Sequence, residues 1–123
     1  MLLDEALELY NGRHPQARLA IAEPAPGELI LELCGELEMK AASDLAPVLE
    51  SALAACPSRG RLVLDLGQVG YVSSTGVGLL ATTMVAAEGR MVSLVLRDLP
   101  PRVRTIMEGL GLLSFFSLEE ACE

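Results

Sequence analysis

The sequence has no tryptophan, one histidine and one lysine, and only 3% of its 123 residues are aromatic. A core must therefore be assembled from Leu, Val, Ile, Ala and Met. With Lys40 as the sole lysine and a formal net charge of −8, no basic footprint exists to displace counterions from phosphates. That excludes nucleic acid as a partner and argues against docking on an anionic membrane. Cys34, Cys56 and Cys122 are far apart and form no C-x-x-C pair. A reducing cytoplasm fits them better than a disulfide framework or a zinc site. No apolar run approaches a membrane span, and Asp4 and Glu5 directly follow Met1-Leu2-Leu3. Neither membrane insertion nor a signal peptide is expected, and the expected location is cytoplasmic. No His/Cys/Asp grouping has metal-ligand spacing, and no cofactor is expected.

What is present is one globular domain's worth of chain, 51% hydrophobic and 21% charged. Leu3, Leu7 and Tyr10 suggest a short N-terminal helix or arm over residues 1–16. Two apolar runs, Arg18 to Ala22 and Leu29 to Leu37, flank Pro24-Ala25-Pro26-Gly27 and read as a hairpin. From Ala42 the period becomes helical through Leu45, Leu49, Ala52, Leu53 and Cys56, with Ser43 or Asp44 as the expected cap and Pro47 in the first turn. Leu62-Val63-Leu64-Asp65-Leu66 reads as a central, two-sided strand, and Gly67 to Val72 as a connection. A second helix follows, with Val77, Leu80, Ala81, Met84 and Val85 inward and Gly89 at its end. Met91 to Leu96 reads as a strand, Pro100-Pro101 opens a third helix, and Leu113 to Leu118 reads as an edge strand. Strands alternating with helices imply crossovers and a largely parallel sheet.

Ser73-Ser74-Thr75-Gly76-Val77-Gly78 is the least ordinary stretch. Each glycine inside a helix costs about 1 kcal/mol relative to alanine, so two in one turn need a reason. Ser73 or Ser74 capping the helix, with the glycines against the sheet, is the purely structural reading. The functional reading uses the same geometry. A hydroxyl at a helix N-terminus sits where free N–H groups and the dipole stabilise an attached phosphate, and phosphorylation there would expel a closely packed partner.

This stretch resembles the signature of STAS domains of the anti-sigma factor antagonist type. The similarity runs from Leu62-Val63-Leu64-Asp65-Leu66 through Val69 and Tyr71-Val72 to Ser73-Ser74-Thr75-Gly76-Val77-Gly78-Leu79-Leu80. Gly35-Glu36-Leu37-Glu38, Val103 to Leu113 and Phe116 to Ala121 are similar to further stretches of that family. The resemblance implies an α/β fold, a four- or five-stranded mixed sheet with helices on one face, with residues 17–123 forming the STAS domain. It also implies a non-enzymatic binding module whose partner is an anti-sigma factor or serine-kinase-like protein, with a phosphatase reversing the modification. Ser74 falls on the family's phosphoacceptor, with Ser73 and Thr75 as lesser candidates. Glu38, Ser73, Ser74, Thr75, Gly76, Val77, Gly78 and Leu79 become the expected partner surface. Ser73 departs from the family, which carries an Asp there. A STAS domain that docks without phosphorylation, as in bacterial lipid-trafficking ABC transporters, is the alternative.

Three other chemistries match in part. Gly76-Val77-Gly78-Leu79-Leu80-Ala81 fits the dinucleotide pattern G-x-G-x-x-A with Asp98 downstream, but Gly67 to Thr75 separate it from the preceding apolar run. No lysine lies at a glycine turn, as a P-loop requires. His14, flanked by Gly12 and Pro15, is expected at the surface and not as a catalytic base. Asp65 is expected to be a hydrogen-bonded structural acid. Glu36 is expected on a solvated edge.

Overall fold

Successive side chains of a strand alternate between faces, so Leu62, Leu64 and Leu66 point one way and Val63 the other. In the structure, a computed structural model that describes residues 2–120, that strand is the middle of a five-stranded sheet of order β1-β2-β3-β4-β5. The strands are β1 (Leu19–Ala25), β2 (Glu28–Leu37), β3 (Arg61–Val72), β4 (Ser93–Arg97) and β5 (Ser117–Glu119). β1 and β2 are antiparallel, and every other neighbouring pair is parallel. Each parallel step passes through a helix: α2 (Met39–Ala55), α3 (Ser74–Gly89) and α4 (Pro101–Gly109). Right-handed crossovers that always move to the next strand in one direction put all helices on the same side. The main core accordingly joins Leu62, Leu64 and Leu66 to buried residues of α2, α3, α4 and an N-terminal helix, α1 (Leu3–Arg13).

The opposite face carries a small apolar cluster of Ile30, Val63 and Val95, with Ala22 against it. It lies within a charged lattice: Arg61 bonds to Glu28 (3.2 Å) and to Glu119, and Arg97 bonds to Glu119 (2.8 Å).

Several local expectations change. Gly67 to Val72 is not a connection: β3 continues to Val72 through two register shifts, because the ten-residue β2 supplies parallel partners as far as Leu37. α2 begins at Met39, with Glu38 and not Ser43 or Asp44 as its cap, so Pro47 lies in the helix interior. β1 extends through Pro24 to Ala25, which an edge strand tolerates because a proline there need not donate inward. The expected last strand is split into a 3-10 turn at Leu113–Phe115 and the three-residue β5. Cys56 is buried and Cys34 half-buried, both free; Cys122 and the rest of the acidic tail lie outside the described residues.

α1 packs onto α2 with Ala6 and Tyr10 in the main core. The chain leaving α1 crosses directly over β2 at Gly35. A Cβ there would fall 2.3 Å from the Gln16 carbonyl oxygen, and the backbone is left-handed (φ +83°), so only glycine fits.

Candidate functional site

The sheet register determines the site. Leu37 at the end of β2 pairs with Val72 at the end of β3, so the chain leaves both strands at one level. The next residue in each case, Glu38 or Ser73, is a helix cap. The Ser73 N–H donates to the Leu37 carbonyl at 2.9 Å and holds the two exits together. The Glu38 carboxylate accepts from the N–H groups of Lys40 (3.1 Å) and Ala41 (2.8 Å). The Ser73 hydroxyl oxygen accepts from the Gly76 N–H at 3.1 Å. Two helix N-termini therefore open side by side at the carboxyl end of the parallel strands.

This geometry separates the three hydroxyls. Ser73 is buried and committed to its own helix as the cap. Serine is a good helix cap, so Ser73 serves the α3 backbone without an acid. Thr75 is half-buried. Ser74 is the first residue of α3 and is exposed, and its hydroxyl makes no hydrogen bond among the described residues. An anion attached there would meet the positive end of the α3 dipole. Lys40, in the first turn of α2, is largely exposed and lies 3.8 Å from Asp44.

The glycines also divide. A Cβ on Gly76 would lie 2.6 Å from Val72 Cγ1, so α3 sits closer to β3 than any side chain allows. Gly76 is thus explained by packing. Gly78 is exposed and a Cβ there would meet nothing within 4 Å, so packing does not require it. Val77 is buried in the core, while Leu79 is half-buried in the groove between α2 and α3. Sequence reasoning overlooked Met39 and Tyr71, 67% and 42% exposed, which flank the two helix starts in the chain. The available signal was a large apolar residue within two positions of each cap.

The remaining candidates fall elsewhere. His14 is not at the surface: its Nε2 lies 2.8 Å from Asp44 Oδ2, and its side chain is only 11% exposed because α1 folds back onto α2. This hydrogen bond, with Lys40 and Arg13 nearby, holds the Asp44 carboxyl below the usual carboxylate range. Among the described residues no serine bonds to that imidazole, so no Ser-His-Asp arrangement forms. Asp65 accepts from the Gly67 N–H at 3.0 Å, a structural role, and Glu36 is exposed. Asp98 directly follows β4, and its N–H donates to the Glu119 carbonyl (2.9 Å). A dinucleotide site needs a crevice where successive crossovers diverge to opposite faces of the sheet. Here the crossovers never diverge, and Gly76 faces Val72. A cavity of about 820 Å³ at the start of α4, near Gln68, Pro101 and Arg104, includes none of the hydroxyl turn. Among the described residues no group of three acidic, Cys or His side chains could hold a metal ion, and no helix is long and apolar enough to cross a membrane.

The family model described as "Mlab, STAS domain" matches residues 21–116. The protein named "Putative anti-sigma factor antagonist BtrV" of Bordetella bronchiseptica is 43% identical over 82 residues, 63% of this chain and 69% of that one. Among solved structures, an anti-sigma factor antagonist from Mycobacterium paratuberculosis superposes with a TM-score of 0.66 at 25% identity, covering 82% of this chain and 83% of that one. The Bacillus cell fate determinant SpoIIAA in its phosphorylated form gives a TM-score of 0.67 at 20% identity, over 85% and 92% of the two chains. At that identity the second likeness concerns the fold.

Proposed function

We propose, because this chain belongs to the STAS domain family and is of the anti-sigma factor antagonist type, that it works as a phosphorylation-gated docking module. Its partner would be an anti-sigma factor or serine-kinase-like protein, bound across the paired starts of α2 and α3. The surface comprises Glu38, the exposed part of Ser73–Leu79, and the flanking Met39 and Tyr71.

The observation that carries this reading is the isolation of Ser74. Of three adjacent hydroxyls, one is spent on capping and one is half-buried, whereas Ser74 is exposed at the first position of a helix. Phosphorylation would add nearly two negative charges beside Glu38, on a surface otherwise uncharged from Leu66 to Ala87. A partner packed there would face both repulsion and the desolvation of a dianion, while the α3 N-terminus would support the phosphate on this chain. A phosphatase would restore binding. No step requires a catalytic group on this chain.

The test is incubation with the kinase-like anti-sigma factor encoded nearest to it, with ATP, followed by phosphate mapping by mass spectrometry. Phosphate on Ser74 supports the reading, and its absence from Ser73, Ser74 and Thr75 refutes the gate. Binding that persists without phosphate would then favour constitutive docking, to which the hydroxyl cap at Ser73 in place of an acid already lends support.

A further inference from the structure

α1 lies outside the stretch matched by the family model, which begins at residue 21. Its hold on the domain is narrow. Ala6 and Tyr10 are its only fully buried residues, Leu3 and Leu7 pack partly, and Leu9 is half exposed. Tyr10 is 1% exposed, yet its hydroxyl has no hydrogen-bond partner among the described residues. A buried hydroxyl left unpaired weakens the packing that buries it. What secures the end of the helix is polar. Asp44 on α2 takes a hydrogen bond from His14 and lies 3.7 Å from Arg13, while the Asn11 side chain brackets Leu19 with bonds of 3.0 and 2.8 Å. Just past this fastening, a cavity of about 600 Å³ separates Arg13, His14 and Gln16 from Glu36, Glu38 and Ala41. Ala41, 1% exposed, lines this cavity opposite the α1 end and lies about one helical turn from the α2 cap.

We infer that α1 and the segment following it form a hinged cover, which opens as a unit while the sheet stays folded and uncovers the flank of α2 beside Glu38. An eleven-residue helix has little stability in isolation, so release from α2 means its unfolding, with the return of backbone entropy favouring the open state. The hinge is the crossing over Gly35, where Gln16 and Ala17 lie against the β2 backbone. The inference concerns the chain alone and stands whether or not Ser74 is a phosphoacceptor.

Native-state hydrogen exchange on the full chain tests it, with urea added in small steps. The amides of α1 should exchange through an opening of lower free energy and smaller urea dependence than those of β3. Asp44→Asn should speed α1 exchange about tenfold and leave β3 unchanged, whereas Tyr10→Phe should slow it severalfold by removing the unpaired hydroxyl. An Ala41→Cys variant supplies a second readout. Labelling of the introduced thiol, resolved by mass spectrometry from the native cysteines, should follow α1 exchange and accelerate with Asp44→Asn. Exchange of α1 only through global unfolding, or labelling no faster than global unfolding, overturns the inference.

Discussion

Two alanine substitutions two residues apart in the same helix should move stability in opposite directions. Alanine in place of a helical glycine gains about 1 kcal/mol from the lower entropy of the unfolded chain, provided nothing obstructs the methyl group. At Gly78 nothing does: no atom lies within 4 Å of the added carbon, and the position is exposed. Gly78→Ala should therefore stabilise by about 1 kcal/mol. At Gly76 the same carbon would sit 2.6 Å from Val72 Cγ1, with Ser73 Oγ at 3.6 Å and Ala42 Cβ at 3.7 Å around it. Val72 is β-branched and 3% exposed, and the next residue is hydrogen bonded to Leu37, so it has little room to turn away. Overpacking of this kind costs about 1–3 kcal/mol, and at such a pinned site the upper part of that range applies. After the helix gain is subtracted, Gly76→Ala should destabilise by about 1–2 kcal/mol. The two variants should then melt roughly 10 °C apart. Urea unfolding followed by circular dichroism measures both, and equal slopes would show that only stability had changed. A Gly76→Ala protein as stable as the parent would refute the close approach of α3 to β3. A destabilised Gly78→Ala would refute the exposed helical site. If Gly78→Ala proves more stable and also binds a partner more weakly, the glycine serves the interface and not the fold.

Further expectations concern charge. Hydrogen bonds from Arg61 and Arg97 hold the Glu119 carboxyl below its usual range, so the stability it contributes is complete above the ordinary carboxylate range and lost as pH falls through its folded value. Glu119→Gln should thus be less stable than the parent at neutral pH, with the difference shrinking in acid; a difference independent of pH would contradict this. Burial pushes the Tyr10 hydroxyl up to about 12. Its contribution is intact below the unfolded value near 10 and disappears as pH rises towards 12, so phenolate absorbance of a Tyr71→Phe protein should appear late and together with the release of α1. Ser74→Asp should leave the melting temperature within about 2 °C of the parent, because the side chain is exposed and an acid is tolerated at a helix start. Its partner binding should fall sharply, while Ser74→Ala should keep it. Equal binding by both variants would place the partner surface elsewhere.

The residues alone determined most of the elements and their alternation, because periodicity reports local burial directly. Alternation in Leu29–Leu37, the apolar run at Leu62–Leu66 and the helical stripe through Leu45, Leu49 and Leu53 each demanded a defined face, and a largely parallel sheet with helical crossovers follows from them; that the helices share one side came from the resemblance and is set by the strand order. The family was legible in the turn at Ser73–Gly78 for a related reason: a helix start at the end of a central strand constrains consecutive residues. Tertiary structure decided what depends on neighbours distant in sequence. Only the pairing of β2 with β3 carries strand structure past Gly67 to Val72 and sets Glu38 beside Ser73. Only the crossing of α1 over β2 explains Gly35, and only the return of α1 onto α2 buries His14 against Asp44. The roles of Ser73, Ser74 and Thr75 were indistinguishable as three hydroxyls in a row. They separated once the chain's exit angle turned one inward to cap the helix and left the next facing solvent.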